Sequence, residues 1–197
     1  MVTKNWVEFF DSEIFYLEEP AKSKKSILLL HGYNWTSDVW LKSETMQTLN
    51  KLDFNTFAID VPTFPKSRSK VLSGAKDDDI IKIIYNFITT IILQKEQLFI
   101  LGTSASGFLA LRFAEKYSDM LSGVIGVVPI DCGRIKLNEI KTRILTIWGS
   151  EDSGLKECAP LFKNKADIKI IKNAGHTPYL DQPKEFNTIV SEFLENK

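Results

Sequence analysis

The sequence predicts an α/β fold built on one mostly parallel sheet, and three observations carry that expectation. Apolar, strand-like runs alternate with helix-period segments almost throughout after residue 25. One run, Leu98-Phe-Ile-Leu, enters a cluster of small residues, Gly102-Thr-Ser-Ala-Ser-Gly107, and passes directly into good helix formers, Phe108-Leu-Ala-Leu-Arg-Phe-Ala. Finally, His31, Asp60, Ser104, Asp131, Asp152 and His176 all fall at or just past expected strand ends, the edge at which parallel sheets bind ligands.

The 197 residues suit one domain, 1–197, with a sizeable core. With 44% hydrophobic and 25% charged residues, the chain reads as an ordinary globular protein. Lys+Arg 25 balance Asp+Glu 25, so no global field attracts nucleic acid or an anionic membrane. Charges interrupt the first residues before a signal-peptide core could form, and the most lipid-like segment, Ile83 to Leu93, is far shorter than the roughly 20 residues of a spanning helix. A cytoplasmic location is therefore expected. Cys132 and Cys158 form no close-spaced motif, which fits a reducing compartment. Two distant histidines and no Cys-x-x-Cys leave little for a zinc site.

Taken in order, Trp6-Val-Glu-Phe-Phe and Ile14-Phe-Tyr-Leu flank Asp11-Ser-Glu and read as an antiparallel hairpin. Ser26-Ile-Leu-Leu-Leu is a strand buried on both faces and ends in His31-Gly-Tyr. Thr36 or Ser37 can cap a helix carrying Val39, Trp40, Met46 and Leu49 on its apolar side. Phe54 to Val61 is a strand, and Thr63-Phe-Pro-Lys-Ser-Arg-Ser-Lys an irregular basic loop. Asp77-Asp-Asp opens a helix running to Leu93, with its acids at the favourable end. After the strand and helix around Ser104 come strands at Leu121 to Ile130 and Arg143 to Trp148, a helix over Leu155 to Lys165 and a strand at Ile168 to Ile171. The turn Asn173-Ala-Gly-His-Thr-Pro leads to a last helix capped by Asp181, with Pro183 in its first turn.

Ser104 stands at the apex of the strand-to-helix turn, where a side chain is lifted out of the sheet. The usual pattern for such a nucleophile elbow is Gly-x-Ser-x-Gly; in this chain Ser106 takes the fifth place and Gly107 follows. A Ser-rich turn opening a helix is also an ordinary N-cap, so the elbow alone does not decide between the two. A serine nucleophile needs a base, and an acid to hold that base in the right tautomer. His176 is the preferred base, because Ser104, acid, His176 is a known chain order for such a triad. His31 reads instead as a structural histidine bracing its loop. Two acids remain open, Asp152 after one strand and Asp131 after the strand before it; Asp152 is preferred, and Asp131 otherwise reads as a turn or capping residue. Glu151 would need a different turn phase, and Asp60 organises its own loop. Backbone N–H groups of Ala105 and Tyr33 are the candidate oxyanion donors. Cys132 reads as a buried inert thiol. Lys66, Arg68 and Lys70 could grip an anion, but a solvated basic loop is the commoner outcome.

Through Leu30-His-Gly, Ala58-Ile-Asp-Val-Pro, the elbow, Trp148-Gly-Ser-Glu-Asp and Asn173-Ala-Gly-His, the chain resembles the α/β-hydrolase family along essentially its full length. It is more particularly similar to the abhydrolase-domain-containing 14 group, through Ser104-Ala-Ser106-Gly107, Val128-Pro-Ile and Gly175-His-Thr-Pro-Tyr-Leu-Asp. That resemblance implies Ser104, Asp152 and His176 as a triad, with short-ester hydrolysis or lysine deacetylation as the activity. It requires no cofactor, but brings coenzyme A as an acyl acceptor. One member of the group partners a transcription-factor subunit; a protein partner is not readable from the residues of this chain. The chain departs at Thr63-Phe-Pro-Lys-Ser, where the family's glycine-containing loop is lost. The connection from Ile130 to Arg143 is too short for a lid, which predicts an open, shallow site suited to small acyl groups. The rival expectation is a binding module that keeps the fold and uses its surface for a protein partner.

Overall fold

The computed structural model describes residues 1–9, 12–70, 75–92 and 96–196. Its strands are β1 (Thr3–Phe9), β2 (Ser12–Glu19), β3 (Lys25–Leu30), β4 (Phe54–Ile59), β5 (Gln97–Thr103), β6 (Gly123–Val127), β7 (Arg143–Gly149) and β8 (Asp167–Ile171). They form one sheet in the order β1-β2-β4-β3-β5-β6-β7-β8. β1 and β2 pair antiparallel, β2 joins β4 antiparallel, and every pairing from β4 to β8 is parallel. The expected hairpin is present; Phe10 and Asp11, between its two strands in sequence, lie outside the described residues.

The helices are α1 (Val39–Lys42), α2 (Thr45–Lys51), α3 (Asp77–Thr90), α4 (Ala105–Tyr117), α5 (Leu155–Cys158), α6 (Pro178–Asp181) and α7 (Pro183–Glu195). They cover both faces of the sheet. On β4, Phe57 meets Phe87 of α3, whereas Phe54 meets Phe99 of β5, which in turn meets Phe193 of α7. Residues 54 and 57 have opposite parity on one strand, so these aromatic contacts lie on opposite faces. Leu28, Leu29, Ile100 and Leu101 are fully buried between the two layers, as the unbroken apolar runs require. Each such side chain contributes roughly 1.5–3 kcal/mol relative to exposure.

Four local expectations need correction. The single helix after Ser37 is two, α1 and α2, because Glu44 adopts a left-handed backbone (φ 58°) between them, and the residue before α1 is Asp38 rather than Thr36 or Ser37. The helix at Leu155 to Lys165 is only α5 followed by a 3₁₀ turn, Ala159–Phe162, since Pro160 lacks the N–H an α-helix would use. Asp181 ends α6 instead of capping the last helix, and Gln182 precedes Pro183, the first residue of α7. The strand expected over Leu121 to Ile130 is confined to β6, and Val128 beyond it takes φ 41°. The predicted end of the Asp77 helix, Leu93, lies outside the described residues; its three acids do occupy the first turn of α3. Between Ile130 and Arg143 the chain makes only two 3₁₀ turns, Cys132–Arg134 and Leu137–Glu139.

Candidate active site

β5 runs into α4 through Ser104, whose backbone (φ 56°, ψ −121°) lies in a region L-residues rarely adopt. The strain lifts the hydroxyl off the sheet while the chain reverses into the helix. Close approach of strand and helix explains the small neighbours: a Cβ on Gly102 would fall 2.0 Å from the Ser106 carbonyl oxygen, and one on Gly107 would press on Gly102 and Pro129 at 3.2 Å. The Ser104 N–H is anchored to the carbonyl of Val127 at 2.8 Å.

Asp152 and His176 arrive from the turns after β7 and β8. His176 Nε2 lies 2.9 Å from Ser104 Oγ, and His176 Nδ1 lies 2.5 Å from Asp152 Oδ2. Because Asp152 can only accept when ionised, the network assigns the ring proton to Nδ1, leaving Nε2 to accept from the serine hydroxyl. The other carboxylate oxygen of Asp152 accepts the Gly154 N–H at 2.8 Å, so the carboxylate cannot rotate freely. The Asp152 side chain is buried, whereas that of His176 is 51% exposed. The two turns are joined by backbone: Glu151 N–H donates to Ala174 C=O at 2.9 Å, and Gly149 lies so close that an added Cβ would sit 2.2 Å from Gly175 O. Glu151 therefore contributes main chain, and its side chain points to solvent.

Asp131 does not approach the imidazole. It is exposed, takes a left-handed backbone (φ 52°) and pairs with Arg134 at 2.9 Å, a turn residue as its alternative reading had it. His31 is fully buried, its Nδ1–H donating to Gly32 C=O and its Nε2 accepting the Val61 N–H, both at 2.8 Å. Burial lowers its pKa below the ordinary 6.5, which keeps the ring neutral as those two bonds require. Asp60 is buried and organises the surrounding loops, accepting from Ser37 N–H and Oγ–H and from the Arg68 N–H and guanidinium. Burial alone would raise its pKa, but those donors outweigh it and hold the carboxyl below 3.8.

Of the basic residues in the loop at 66–70, Lys66 and Lys70 are exposed as expected, and Arg68 is the exception. Its guanidinium is engaged by Asp60 and Asp38 and stacks 3.7 Å from the Phe15 ring centroid, so it is neither a solvated charge nor a free anion grip. Lys70 pairs with Glu13, and Lys66 lies 6.0 Å over the Trp35 ring. Cys132 is buried and donates to Pro129 C=O. Burial first, and then a contact with Cys158 that sequence spacing gave no sign of, raise its pKa and keep the thiol protonated. Among the described residues no cluster of three or more His, Cys, Asp or Glu side chains could hold a metal ion.

The loop after β3 passes directly beside the serine: a Cβ on Gly32 would touch Ser104 Cβ at 3.6 Å. The N–H groups of Tyr33 and Ala105 donate to no acceptor among the described residues. Two supports were not foreseen. Ser106 Oγ donates to the His31 carbonyl at 2.6 Å, and Asp181 accepts the Gly175 N–H at 2.8 Å and the Thr177 hydroxyl at 3.2 Å, one residue either side of His176. The serine in place of glycine at position 106 was the available signal for the first. Nothing in spacing alone announced the second.

An α/β sheet with a strained serine elbow and an imidazole and carboxylate at the same rim defines the α/β-hydrolase class. A family model described as the alpha/beta hydrolase fold matches residues 25–141, and the chain belongs to that family. Within it the chain is similar to the ABHD14 proteins. ABHD14B of Rattus norvegicus, provisionally named a protein-lysine deacylase, is 27% identical over 177 residues, or 86% of this chain and 83% of its own length. ABHD14A of Danio rerio is 28% identical over 176 residues, covering 85% of this chain; this chain spans 63% of that relative. Among solved structures, a predicted CIB-like hydrolase from Thermoplasma acidophilum superposes with a TM-score of 0.88 at 23% identity, covering 100% of this chain and 99% of its own. Carboxylesterase CesB from Bacillus subtilis does so at 0.83 and 17%, covering 99% and 92%. These two likenesses show the fold. No helix among the described residues is long and apolar enough to cross a membrane.

Proposed function

We propose that the protein is a serine hydrolase or acyltransferase that handles small acyl groups through an acyl-enzyme. The observation that carries this reading is the continuous relay from Ser104 Oγ to His176 Nε2 at 2.9 Å and from Nδ1 to Asp152 Oδ2 at 2.5 Å. Ser104 Oγ attacks the acyl carbonyl carbon while His176 Nε2 takes its proton, and Asp152 stabilises the imidazolium that forms. The tetrahedral oxyanion is held by the N–H groups of Tyr33 and Ala105. When it collapses, the bond to the leaving alcohol or amine breaks and His176 returns the proton to that group. Water, or a thiol such as that of coenzyme A, then attacks the acyl-serine by the same steps and regenerates the hydroxyl. No bound metal or prosthetic group enters these steps.

Small substrates are favoured because the connection from Ile130 to Arg143 holds only two short turns and His176 is half exposed. Tyr33 and Ile130, 51% and 41% exposed, offer apolar surface for a short acyl chain on the loops after β3 and β6. Similarity to ABHD14B brings acyl-lysine to the same list of candidate substrates, alongside simple esters. The cytoplasm, where coenzyme A and acylated lysines coexist, is the location this reading favours.

Covalent labelling by a fluorophosphonate, together with a chain-length series of p-nitrophenyl esters, tests it. The intact chain should label and should turn over acetate and butyrate esters faster than octanoate. Ser104→Ala should not label and should lose at least about 10⁴-fold in kcat/KM. Equal labelling of Ser104→Ala, or no labelling of the intact chain, would defeat the enzyme reading and favour a binding module. An acetyl-lysine peptide incubated with and without coenzyme A separates the acceptors: acetyl-CoA marks transfer, and free acetate alone marks hydrolysis.

A further inference from the structure

Resting on the hydrolase reading above, we propose that Ser106 is a positioning residue for the oxyanion site: its hydroxyl latches the loop that presents the Tyr33 N–H to Ser104. Glycine, the usual residue at this elbow position, has no side chain with which to do so. Ser106 is fully buried at the base of α4, and its Oγ donates to the carbonyl of His31 at 2.6 Å, bridging from the elbow to the loop after β3.

Two successive carbonyls of that loop are fixed, the first of them by Ser106. The His31 carbonyl is held by Ser106, while the Gly32 carbonyl accepts from His31 Nδ1–H at 2.8 Å and from the Trp35 N–H at 3.0 Å. In a trans peptide the carbonyl of one residue and the N–H of the next point in opposite directions. Fixing Gly32 C=O therefore fixes the direction of the Tyr33 N–H, which has no acceptor among the described residues. The His31 ring is itself set by the Val61 N–H at 2.8 Å, but that bond orients the imidazole and leaves the peptide between His31 and Gly32 free to tilt. Ser106 supplies the missing constraint, and it belongs to the same turn as the nucleophile. Elbow and donor loop are thus tied together, with Gly32 facing Ser104 Cβ across a space that one added methyl group would fill.

An N–H that matters chiefly when the carbonyl oxygen becomes an oxyanion affects turnover and not ground-state binding. Ser106→Ala is therefore expected to lower kcat for p-nitrophenyl acetate about tenfold, less than the 10²–10³-fold typical of deleting an oxyanion donor outright, because the N–H keeps the two donors on the Gly32 carbonyl and loses only the anchor of the peptide before it. KM should stay within about twofold, and affinity for a trifluoromethyl ketone, whose adduct carries the oxyanion, should fall by the same factor as kcat. Ser106→Gly, which restores the usual elbow pattern, should behave alike and decides by the same criteria if the alanine variant does not fold. A kcat within twofold of the parent, or a loss appearing in KM while the ketone affinity is kept, would overturn the latch. If the parent chain neither turns over esters nor labels at Ser104, both readings fall; if it does both and the Ser106 variants match it, only the latch falls.

Discussion

His31 and His176 both follow strand ends at the same rim of the sheet, yet their surroundings give the two imidazoles opposite characters. His31 is fully buried and both its nitrogens bond main chain, a carbonyl on one side and an N–H on the other. His176 is half exposed and both its nitrogens face side chains, a hydroxyl and a carboxylate. Main-chain partners cannot change protonation state, so the first ring is a fixed brace. Side-chain partners can exchange or stabilise a proton, so the second can cycle. Residue type and strand-end position alone do not separate them; the partners of each ring do.

The contrast breaks most sharply at the exposed ring. His176→Ala is expected to lower esterase kcat/KM by about 10⁴-fold or more while leaving the melting temperature within a degree or two, read by ester kinetics alongside calorimetry. An active His176→Ala would erase the distinction. Asp152→Asn keeps the size of the acid but disrupts the tautomer, and should cost about 10³- to 10⁴-fold in kcat with KM little changed.

His31→Phe should do the reverse in kind. It leaves the buried Val61 N–H without an acceptor and the Gly32 carbonyl with one donor fewer, for an expected loss of about 2–3 kcal/mol of stability in urea denaturation. The same ring gives the fold a defined acid sensitivity. Because burial holds the folded pKa of His31 below 6.5, the unfolded chain binds the extra proton more readily; its contribution is intact above pH 6.5 and declines as pH falls below it. The charges bearing on it are Asp60, Arg68 and Asp38, and Asp60, held below 3.8, stays ionised throughout that window. Unfolding free energies measured at pH 7.5 and 5.5 should therefore differ in the parent and differ less in His31→Gln. The smallest effect sharpens the exposed side: Asp181→Ala frees the residues flanking His176 and should reduce kcat/KM only about three- to tenfold, through kcat.

Much of this was legible because each signal was local. The small-residue cluster around Ser104 announced an elbow, since a side chain on Gly102 would overlap the helix that follows. The strand-end positions of Asp152 and His176 placed both at one edge, and the unbroken apolar runs placed β3 and β5 in the interior. What was not legible depended on chain segments meeting after folding. Arg68 looked like one charge in a basic loop until the chain returned its guanidinium to Asp60 and Phe15. The break between α1 and α2 rests on a left-handed Glu44, a conformation that helical periodicity does not reveal. Asp181 looked like a helix cap because it precedes Pro183, and its carboxylate turned back to the His176 turn instead.

The brevity of the chain between β6 and β7 carries a kinetic consequence. With only two 3₁₀ turns in that connection to fold over the serine, an acyl-enzyme formed there would stand open to water on that side. A competing acceptor would then have to outrun hydrolysis by docking before the intermediate decays, since that connection offers it no cover. Partitioning between acid and transferred product would then follow acceptor concentration in a simple hyperbola.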